Sequence, residues 1–484
     1  MMTLEQVFQN TSVVPGDTSL KEVRSVTADS RTVEPGDLFC VVEGTNENGE
    51  HFLKDALKKG AAAVLASRRL SLPSGIPLFL SGQMREDLAV IAGNLHPSGR
   101  TLDLFAVTGT NGKTSTVKIL YELLERAGIK SGYITTIEEY DGKDVVSSAL
   151  TTPDSFHLHS FFSRLSNNKG RACVMEASSH GIHQKRLYGI PLKAKMLTNV
   201  TRDHLDYHKT LEEYRAVKKN WLLEGNEPVI VNLNDPVGAE VFKERKNVYT
   251  YGIDCEKADL KALRAHYDSH GLVFDLSYGS SLRTVKVKGA IGLFMIENLL
   301  AASLTGLVCG MDFDLIVRGM EAFVPPVGRM SRIRGKDIDV YVDFAHTPDA
   351  LEKSIQTLRP LVKGKLRVVF GCGGNRDKLK RPEMGRIVAK LADVLYVTSD
   401  NSRWEETSDI LNDIRGGISR ADGVSYEEDR AKAISRAVKE SEKGDIILVA
   451  GKGHETYQDL KGIKRHFSDF EESEKALKEK GCIE

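Results

Sequence analysis

No stretch of this chain stays apolar for the roughly 18–20 residues that a membrane span requires. Its first residues, MMTLEQVFQN, hold no apolar core of the kind a secretory leader needs. No C-x-x-C pair occurs: the six cysteines, Cys40, Cys173, Cys255, Cys309, Cys372 and Cys482, stand far apart. That scatter excludes a disulfide framework, argues against structural zinc and suits a reducing compartment. Neither sign of charge is in excess, with 67 Lys+Arg against 67 Asp+Glu. Nothing therefore points to nucleic acid or to a membrane surface as a partner. Internal repeats and low-complexity tracts are lacking too. These absences predict a soluble, cytoplasmic globular chain. Its 484 residues suffice for about three domains with ample core.

What is present centres on Ala106–Ser115, AVTGTNGKTS. The apolar run Leu102–Val107 before it reads as a buried strand. Behind it Val117, Leu120, Tyr121 and Leu124 recur at helical spacing until Gly128 stops the helix. A glycine-rich turn between strand and helix aims backbone N–H groups outward at the positive end of the helix, which is a phosphate cradle. Lys113 would reach the terminal phosphates, and the Thr114 hydroxyl could ligand Mg²⁺. The usual G-x-x-x-x-G-K-[ST] pattern wants glycine where Val107 stands; Gly109 and Gly112 supply the turn here.

Before this loop, residues 1–98 hold short strands at Leu38–Val42 and Ala61–Ala66 and a helix at His51–Lys59. The polar stretches Asp29-Ser30-Arg31 and Gly44–Gly49 read, on their own, as turn chemistry. His96–Gly99 reads as a linker. The region 99–327 continues past the phosphate helix with Thr151-Thr152-Pro153-Asp154, a loop ahead of a helix. A strand, Ala172–Met175, then carries Glu176 at its tip, where a nucleotide-bound Mg²⁺ is commonly held. Met196–Val200 reads as another strand, with His204 just beyond it; such a histidine alone is more often structural than a ligand. The helix Leu211–Leu223 carries Lys218 and Lys219, which by themselves read as a solvated face.

The last region, 328–484, alternates strands (Val340–Phe344, Leu366–Phe370, Val394–Val397, Ile446–Val449) with helical stretches, so its sheet should be mostly parallel. The strand tips read Asp343…His346-Thr347, Gly371–Asp377, Asp400–Arg403 and Gly451–Glu455. Open α/β sheets bind ligands at the carboxyl ends of their strands. Arginines, an asparagine, a glutamate and glycines gathered there suit a small zwitterion with more than one carboxylate, which arginine pairs bidentately.

Together GTNGKTS, TTPD, MEASSHG, NVTRDHLDYH, GRM, DFAHTPDALE, GCGGNRDKLKRP, DNSR and AGKGHE, in this order, make the sequence resemble the Mur ligase family over essentially its whole length. It is most similar to the branch that adds the third amino acid to UDP-MurNAc-L-Ala-D-Glu in peptidoglycan precursor synthesis. The resemblance implies an α/β protein of three domains: a UDP-binding domain (1–98), a central P-loop-type parallel-sheet ATPase domain (99–327) and a C-terminal Rossmann-like, amino-acid-binding domain (328–484). It implies an ATP-dependent ligase that uses two Mg²⁺ ions and a CO₂-derived lysine carbamate; the balanced charge is compatible with a monomer.

The resemblance also hands out roles. Gly109, Thr110, Asn111, Gly112, Lys113, Thr114 and Ser115, with Asn298, Arg329, Asp343 and His346, would bind ATP. Ser30, Thr45 and Asn46 would lie by the uridine, and Thr151, Thr152, Ser178 and Arg186 by the muramoyl dipeptide. Thr114 and Glu176 would hold one Mg²⁺, and His204 the second. Lys218, favoured over Lys219 by its spacing from Tyr214, would be carbamylated beside that second ion. Lys113, Lys218, His204 and Glu176 would thus form the catalytic set. Arg376, Asn401, Arg403, Gly451 and Glu455 match positions that bind meso-diaminopimelate.

Three departures stand out. Ser402 replaces the proline of D-N-P-R, and Thr407 replaces the proline of the E-x-P that follows. Proline fixes φ, so this loop is expected to be looser than the family's. Phe294–Asn298 keeps only the last polar residue of H-N-x-x-N. A lysine-adding ligase, a folylpolyglutamate synthetase and a non-ligating nucleotide switch are the rival readings.

Overall fold

The computed structural model describes residues 1–14, 18–43 and 49–483. The chain folds as two compact units. One comprises Met1–Thr108 and Gly128–Lys195, the other Gly109–Ala127 and Met196–Glu484.

In the first unit, Val26–Thr27, Leu38–Val41, Ala63–Ala66 and Leu78–Leu80 form a four-stranded parallel sheet in that order. Alternate side chains point to opposite faces. Leu38, Cys40, Ala63 and Leu65 pack on one face, and Phe39, Val41, Val64 and Ala66 on the other. The stretch expected as one helix over His51–Lys59 is a 3₁₀ turn, Gly49–Phe52, leading into a helix, Leu53–Lys58.

The same unit holds a second parallel ladder. Ala172–Glu176 lies between Ser131–Ile134 and Asp103–Thr108, and Glu176 pairs with Val107. Glu176 thus closes its strand, as its position in the sequence predicts. Helix Ser155–Asn167 follows the TTPD loop, with Asp154 capping its start through the His157 N–H at 3.0 Å. Leu158, Phe161, Phe162 and Leu165 form its buried stripe.

In the second unit, helix Lys113–Arg126 packs along helix Leu293–Val308. Strands Val229–Asn232, Val248–Ile253 and Leu260–Asp268 run parallel, and Gly271–Tyr278 and Ser281–Lys288 extend the sheet as an antiparallel meander. The strand expected at Met196–Val200 is Leu192–Leu197. Lys193 and Lys195 disguised its first half, although Lys195 is buried.

The C-terminal sheet has six strands in the order Ser331–Arg334, Asp339–Asp343, Ile446–Ala450, Leu366–Phe370, Val394–Thr398 and Val424–Glu427. Only the first pairs antiparallel; the remaining pairs are parallel. Both faces are covered. Leu366, Val368 and Phe370 pack on one side and Val369 on the other, which is why this strand reads as mainly apolar, with the buried Arg367 its one charged residue. Among the described residues, no helix is long and apolar enough to cross a membrane.

Candidate active site

The phosphate loop is shaped by two glycines whose replacement is sterically barred. At Gly109, φ is +149° and an added Cβ would fall 1.9 Å from Thr198 Oγ1. At Gly112, φ is +86° and the Cβ would fall 2.2 Å from Asn298 Oδ1. The loop is pinned from beneath. Thr110 and Asn111 donate their N–H groups to Asn199 O (2.8 Å) and Asn199 Oδ1 (3.0 Å), while Thr198 Oγ1 donates to Asn111 O at 2.7 Å. Asn199 went unread in the sequence. Its signal lay in the polar NVT that follows a strand, but a residue that bonds another segment's backbone and shares the wall of the nucleotide cleft leaves little pattern.

Lys113 Nζ folds back over the loop, donating to Gly109 O (3.0 Å) and Thr110 O (2.8 Å). The Thr114 hydroxyl accepts from Arg329 Nη2 at 3.3 Å, and Asn111 Nδ2 donates to Asp349 Oδ2 at 3.0 Å. Arg329 lies over the Phe344 ring. One cleft is lined by Asn111, Gly112, Ser115, Asn298, Arg329, Asp343 and His346, so seven of the residues assigned to ATP share it. Phe294 and Met295 line it too, as apolar wall in place of the missing polar residues. Burial pushes the His346 imidazole down to about 4 and raises the Asp343 carboxyl.

Beside the loop, helix Leu211–Leu223 brings Tyr214, Lys218 and Trp221 to its buried side. The solvated-face reading is wrong for Lys218, which is 1% exposed. It holds for Lys219, which pairs with Glu240 (2.8 Å) and Glu244 (2.7 Å). Tyr214, Lys218 and Trp221 fall at i, i+4 and i+7, one face of a helix. That spacing was the available signal, a lysine set into an apolar stripe. Lys218 Nζ donates to Gly109 O at 3.0 Å and sits 4.9 Å from the centre of the Tyr214 ring. Tyr214 Oη is 2.9 Å from Thr110 Oγ1.

Burial and the nearby charge of Lys113 hold the Lys218 amine well below the usual lysine range, against the pull of Asp203. His204 Nε2 lies 3.4 Å from Asp203 Oδ2, and its ring centre is 6.3 Å from that of Tyr214. Burial alone would raise the Asp203 carboxyl; His204, Lys380 and His346 around it bring it below the ordinary range.

In the first unit a cleft of about 870 Å³ is lined by Ser30, Asp154, Gln184 and Arg186 among others, a size that admits a large ligand. Arg186 Nη1 donates to Thr152 O at 2.5 Å. Thr152 Oγ1 donates to Glu176 O (2.8 Å) and accepts the Ser178 N–H (2.9 Å). Glu176, almost fully buried, accepts from Thr136 N and Oγ1, both at 2.9 Å, and Thr136 Oγ1 also meets Thr151 Oγ1 at 3.1 Å. Thr151, Thr152, Glu176, Ser178 and Arg186 thus form one network. Gln184, which accepts from Arg186 Nη2 at 2.7 Å, is an addition to it. Thr45 and Asn46 lie outside the described residues.

At the C-terminal strand tips, Asn401 Nδ2 donates to Glu455 Oε2 at 2.8 Å. Arg403 Nη1 donates to Gly374 O at 2.7 Å, over the turn that carries the exposed Arg376. Gly451 approaches Asp400 so closely that an added Cβ would stand 2.6 Å from Oδ2. The DNSR loop is not left loose by its missing prolines. The two replacing residues bond each other, Ser402 Oγ to Thr407 Oγ1, at 2.8 Å. Arg403 N donates to Asp459 O at 3.0 Å, and Glu405 is gripped by the fully buried Arg381. Arg381, with Lys378 and the Asn375 N–H, holds the Glu405 carboxyl down at about 2.

Among the described residues, no group of three or more His, Cys, Asp or Glu side chains is placed to hold a metal ion. A Mg²⁺ site needs less, since that ion keeps several waters and takes one or two carboxylates plus substrate phosphates. Within its own unit each of the assigned groups, the Thr114 hydroxyl, the Glu176 carboxylate and the His204 imidazole, offers an oxygen or nitrogen donor of the kind such an ion takes.

Comparison with known proteins shows what the chain as a whole is similar to. Residues 22–97 match the Mur ligase family catalytic domain, 107–306 the Mur ligase middle domain, and 328–453 the Mur ligase glutamate ligase domain. The UDP-N-acetylmuramoyl-L-alanyl-D-glutamate–2,6-diaminopimelate ligase of Aquifex aeolicus is 38% identical over 96% of this chain and 95% of its own length. A solved structure of a ligase of that name superposes with a TM-score of 0.71 over the whole of both chains at 28% identity. The MurF ligase of Thermotoga maritima, solved with ADP, shares the fold at a TM-score of 0.66 and 22% identity, covering 95% of this chain and 99% of its own.

Proposed function

The chain belongs to the Mur ligase family, and on that premise we propose that it joins meso-diaminopimelate to the D-Glu γ-carboxylate of UDP-MurNAc-L-Ala-D-Glu at the expense of ATP. The observation that carries this reading is the clasp on the phosphate loop. Arg329 and Asp349, which flank the first strands of the C-terminal sheet, bond Thr114 and Asn111. The tips that carry Asn401, Arg403 and Glu455 belong to that same sheet.

Joining a carboxylate to an amine in water is uphill, so the carboxylate must first be activated. A γ-carboxylate oxygen attacks the γ-phosphorus of ATP; the bond to the β-phosphate oxygen breaks, leaving ADP and an acyl phosphate. The diaminopimelate amine then attacks the acyl carbon, phosphate leaves with its electron pair, and the amine loses a proton. Two anions meet in the first step. Lys113, swung from the carbonyls of Gly109 and Thr110 onto the terminal phosphates, offsets their repulsion. Two Mg²⁺ ions, when bound, would supply further neutralisation of phosphate charge; Thr114 and Glu176 are assigned to hold one and His204 the second.

Lys218 is the residue assigned to carry a CO₂-derived carbamate. Its environment suits that task, because only a neutral amine adds CO₂, and burial with Lys113 nearby disfavours the ammonium. Arg186, Thr152 and Ser178 are assigned to the muramoyl dipeptide, and Arg403 and Asn401 to the far carboxylate of diaminopimelate. ATP, a nucleotide-linked sugar substrate and free cysteines belong to the cytoplasm. All the residues named come from one chain, so a monomer suffices.

The test is phosphate release from ATP with UDP-MurNAc-L-Ala-D-Glu present, adding meso-diaminopimelate or L-lysine in parallel. Release with diaminopimelate alone is expected. Release with lysine alone would show a changed amino-acid pocket, and release independent of both would make the chain a nucleotide switch.

A further inference from the structure

We propose that Lys452 is a positioning residue for the amino-acid substrate: it fixes the Asn401 amide and the Glu455 carboxylate in the orientation that receives it. The inference rests on the reading of Asn401 and Glu455 as amino-acid-binding groups, and it gives a job to a residue that reading leaves idle.

Lys452 follows the last central strand, Ile446–Ala450, in the AGKGHE stretch, and its side chain is 0% exposed. Glu455 is 19% exposed. The ammonium therefore stands behind the carboxylate, away from solvent and out of reach of a ligand. Its Nζ donates to Asn401 Oδ1 at 3.1 Å and to Glu455 Oε2 at 3.0 Å. Asp459 N–H donates to the same Asn401 oxygen at 2.9 Å. Two donors on Oδ1 settle which end of the amide is which, so Nδ2 is turned toward Glu455, 2.8 Å away.

One buried cation thus orients both side chains at once, and the Tyr457 ring lies 5.5 Å from it. Asp400 and the Arg430–Asp469 pair complete the charged surroundings. Burial raises the Glu455 carboxyl, and Lys452 is the foremost charge opposing that rise. Without Lys452 the amide is free to flip and the carboxylate loses the partner that keeps it ionised, so the substrate ammonium would meet a disordered, partly neutral acceptor.

The experiment is steady-state kinetics of Lys452→Met, using whichever amino acid the wild type accepts in the phosphate-release assay. The expected result is a KM for that amino acid raised about 50-fold, the loss of a buried charged hydrogen-bond partner. The kcat at saturation should stay within about 3-fold, and the KM values for ATP and UDP-MurNAc-L-Ala-D-Glu within about 2-fold. An amino-acid KM within about 3-fold of wild type, or all three KM values rising together, would overturn the proposal.

Should Lys452→Met not stay folded, the double variant Lys452→Met/Glu455→Gln leaves no lone buried charge. Compared with Glu455→Gln alone, it should raise the amino-acid KM a further 10-fold or so, because Asn401 has lost its donor; equal KM values would overturn the proposal. A wild type that uses lysine in place of diaminopimelate would refute only the choice of amino acid. One that releases phosphate with neither would remove the binding reading and the Lys452 proposal with it.

Discussion

Lys218 and Lys452 are both lysines without access to solvent, and the protein treats them in opposite ways. Lys218 is set over the Tyr214 ring, against the Gly109 carbonyl and near a second lysine. Lys452 is set against the Glu455 carboxylate and the Asn401 oxygen. Burial disfavours the charged form of Lys218. At Lys452 a carboxylate stands 3.0 Å away and the Asn401 oxygen 3.1 Å away, and the residue bridges the two. At Lys218 the nearby charge of Lys113 adds to the effect of burial, and the amine is held well below the usual lysine range. On the proposed function, one of these buried lysines is a strut between two side chains and the other carries the carbamate.

The largest expected effect on this contrast comes from removing the charge beside Lys218. Lys113→Ala should lower kcat for phosphate release by at least about 10³-fold, on the scale of losing a positioned transition-state charge. Its thermal unfolding should stay close to that of the wild type. Because Lys113 helps hold the Lys218 amine low, the variant should also shift the Lys218 titration upward. The check pairs turnover with a pH series of CO₂ uptake: uptake fails as pH falls through the folded pKa of Lys218, and in the variant that failure should begin at higher pH.

The second effect lies at the other lysine's end of the molecule. Arg403→Ala should raise the KM for diaminopimelate by about 10²-fold and erase most of the preference over lysine, since a pocket built for a carboxylate rejects analogues that lack one. Competition between the two amino acids measures it directly.

The smallest expected effect concerns the loop that carries Arg403. Ser402→Ala should cost about 1 kcal/mol of stability, the worth of one hydrogen bond. The double variant with Thr407→Val should cost little more, because both changes remove the same bond. Urea unfolding of the single and double variants gives the coupling; additive losses would show that the two hydroxyls act separately.

Much of this architecture is legible in the sequence, and the exceptions have physical causes. Helix Leu211–Leu223 and strand Leu366–Phe370 begin and end where their patterns predict, because each is bounded by polar or turn residues. The phosphate loop is legible because glycine, lysine and threonine have no common alternative use in that order. Lys218 is misjudged when read by residue type alone, since lysine is rarely buried; its neighbours Tyr214 and Trp221 carried the correct answer. Strand Leu192–Leu197 is obscured in the same way by Lys193 and Lys195. Ser402 and Thr407 are each visible as departures, but their mutual bond is not, because a loop's closure depends on geometry that spacing does not encode. Asn199 and Lys452 bond residues far away in the chain, and such contacts appear once the fold has brought the partners together.

The most direct measurement is the ¹³C NMR spectrum of the protein in ¹³C-bicarbonate. The account predicts one slowly exchanging carbamate signal that is present in the wild type, retained in Lys219→Ala and absent from Lys218→Ala. A wild type without that signal, or a signal that survives in Lys218→Ala, would contradict it.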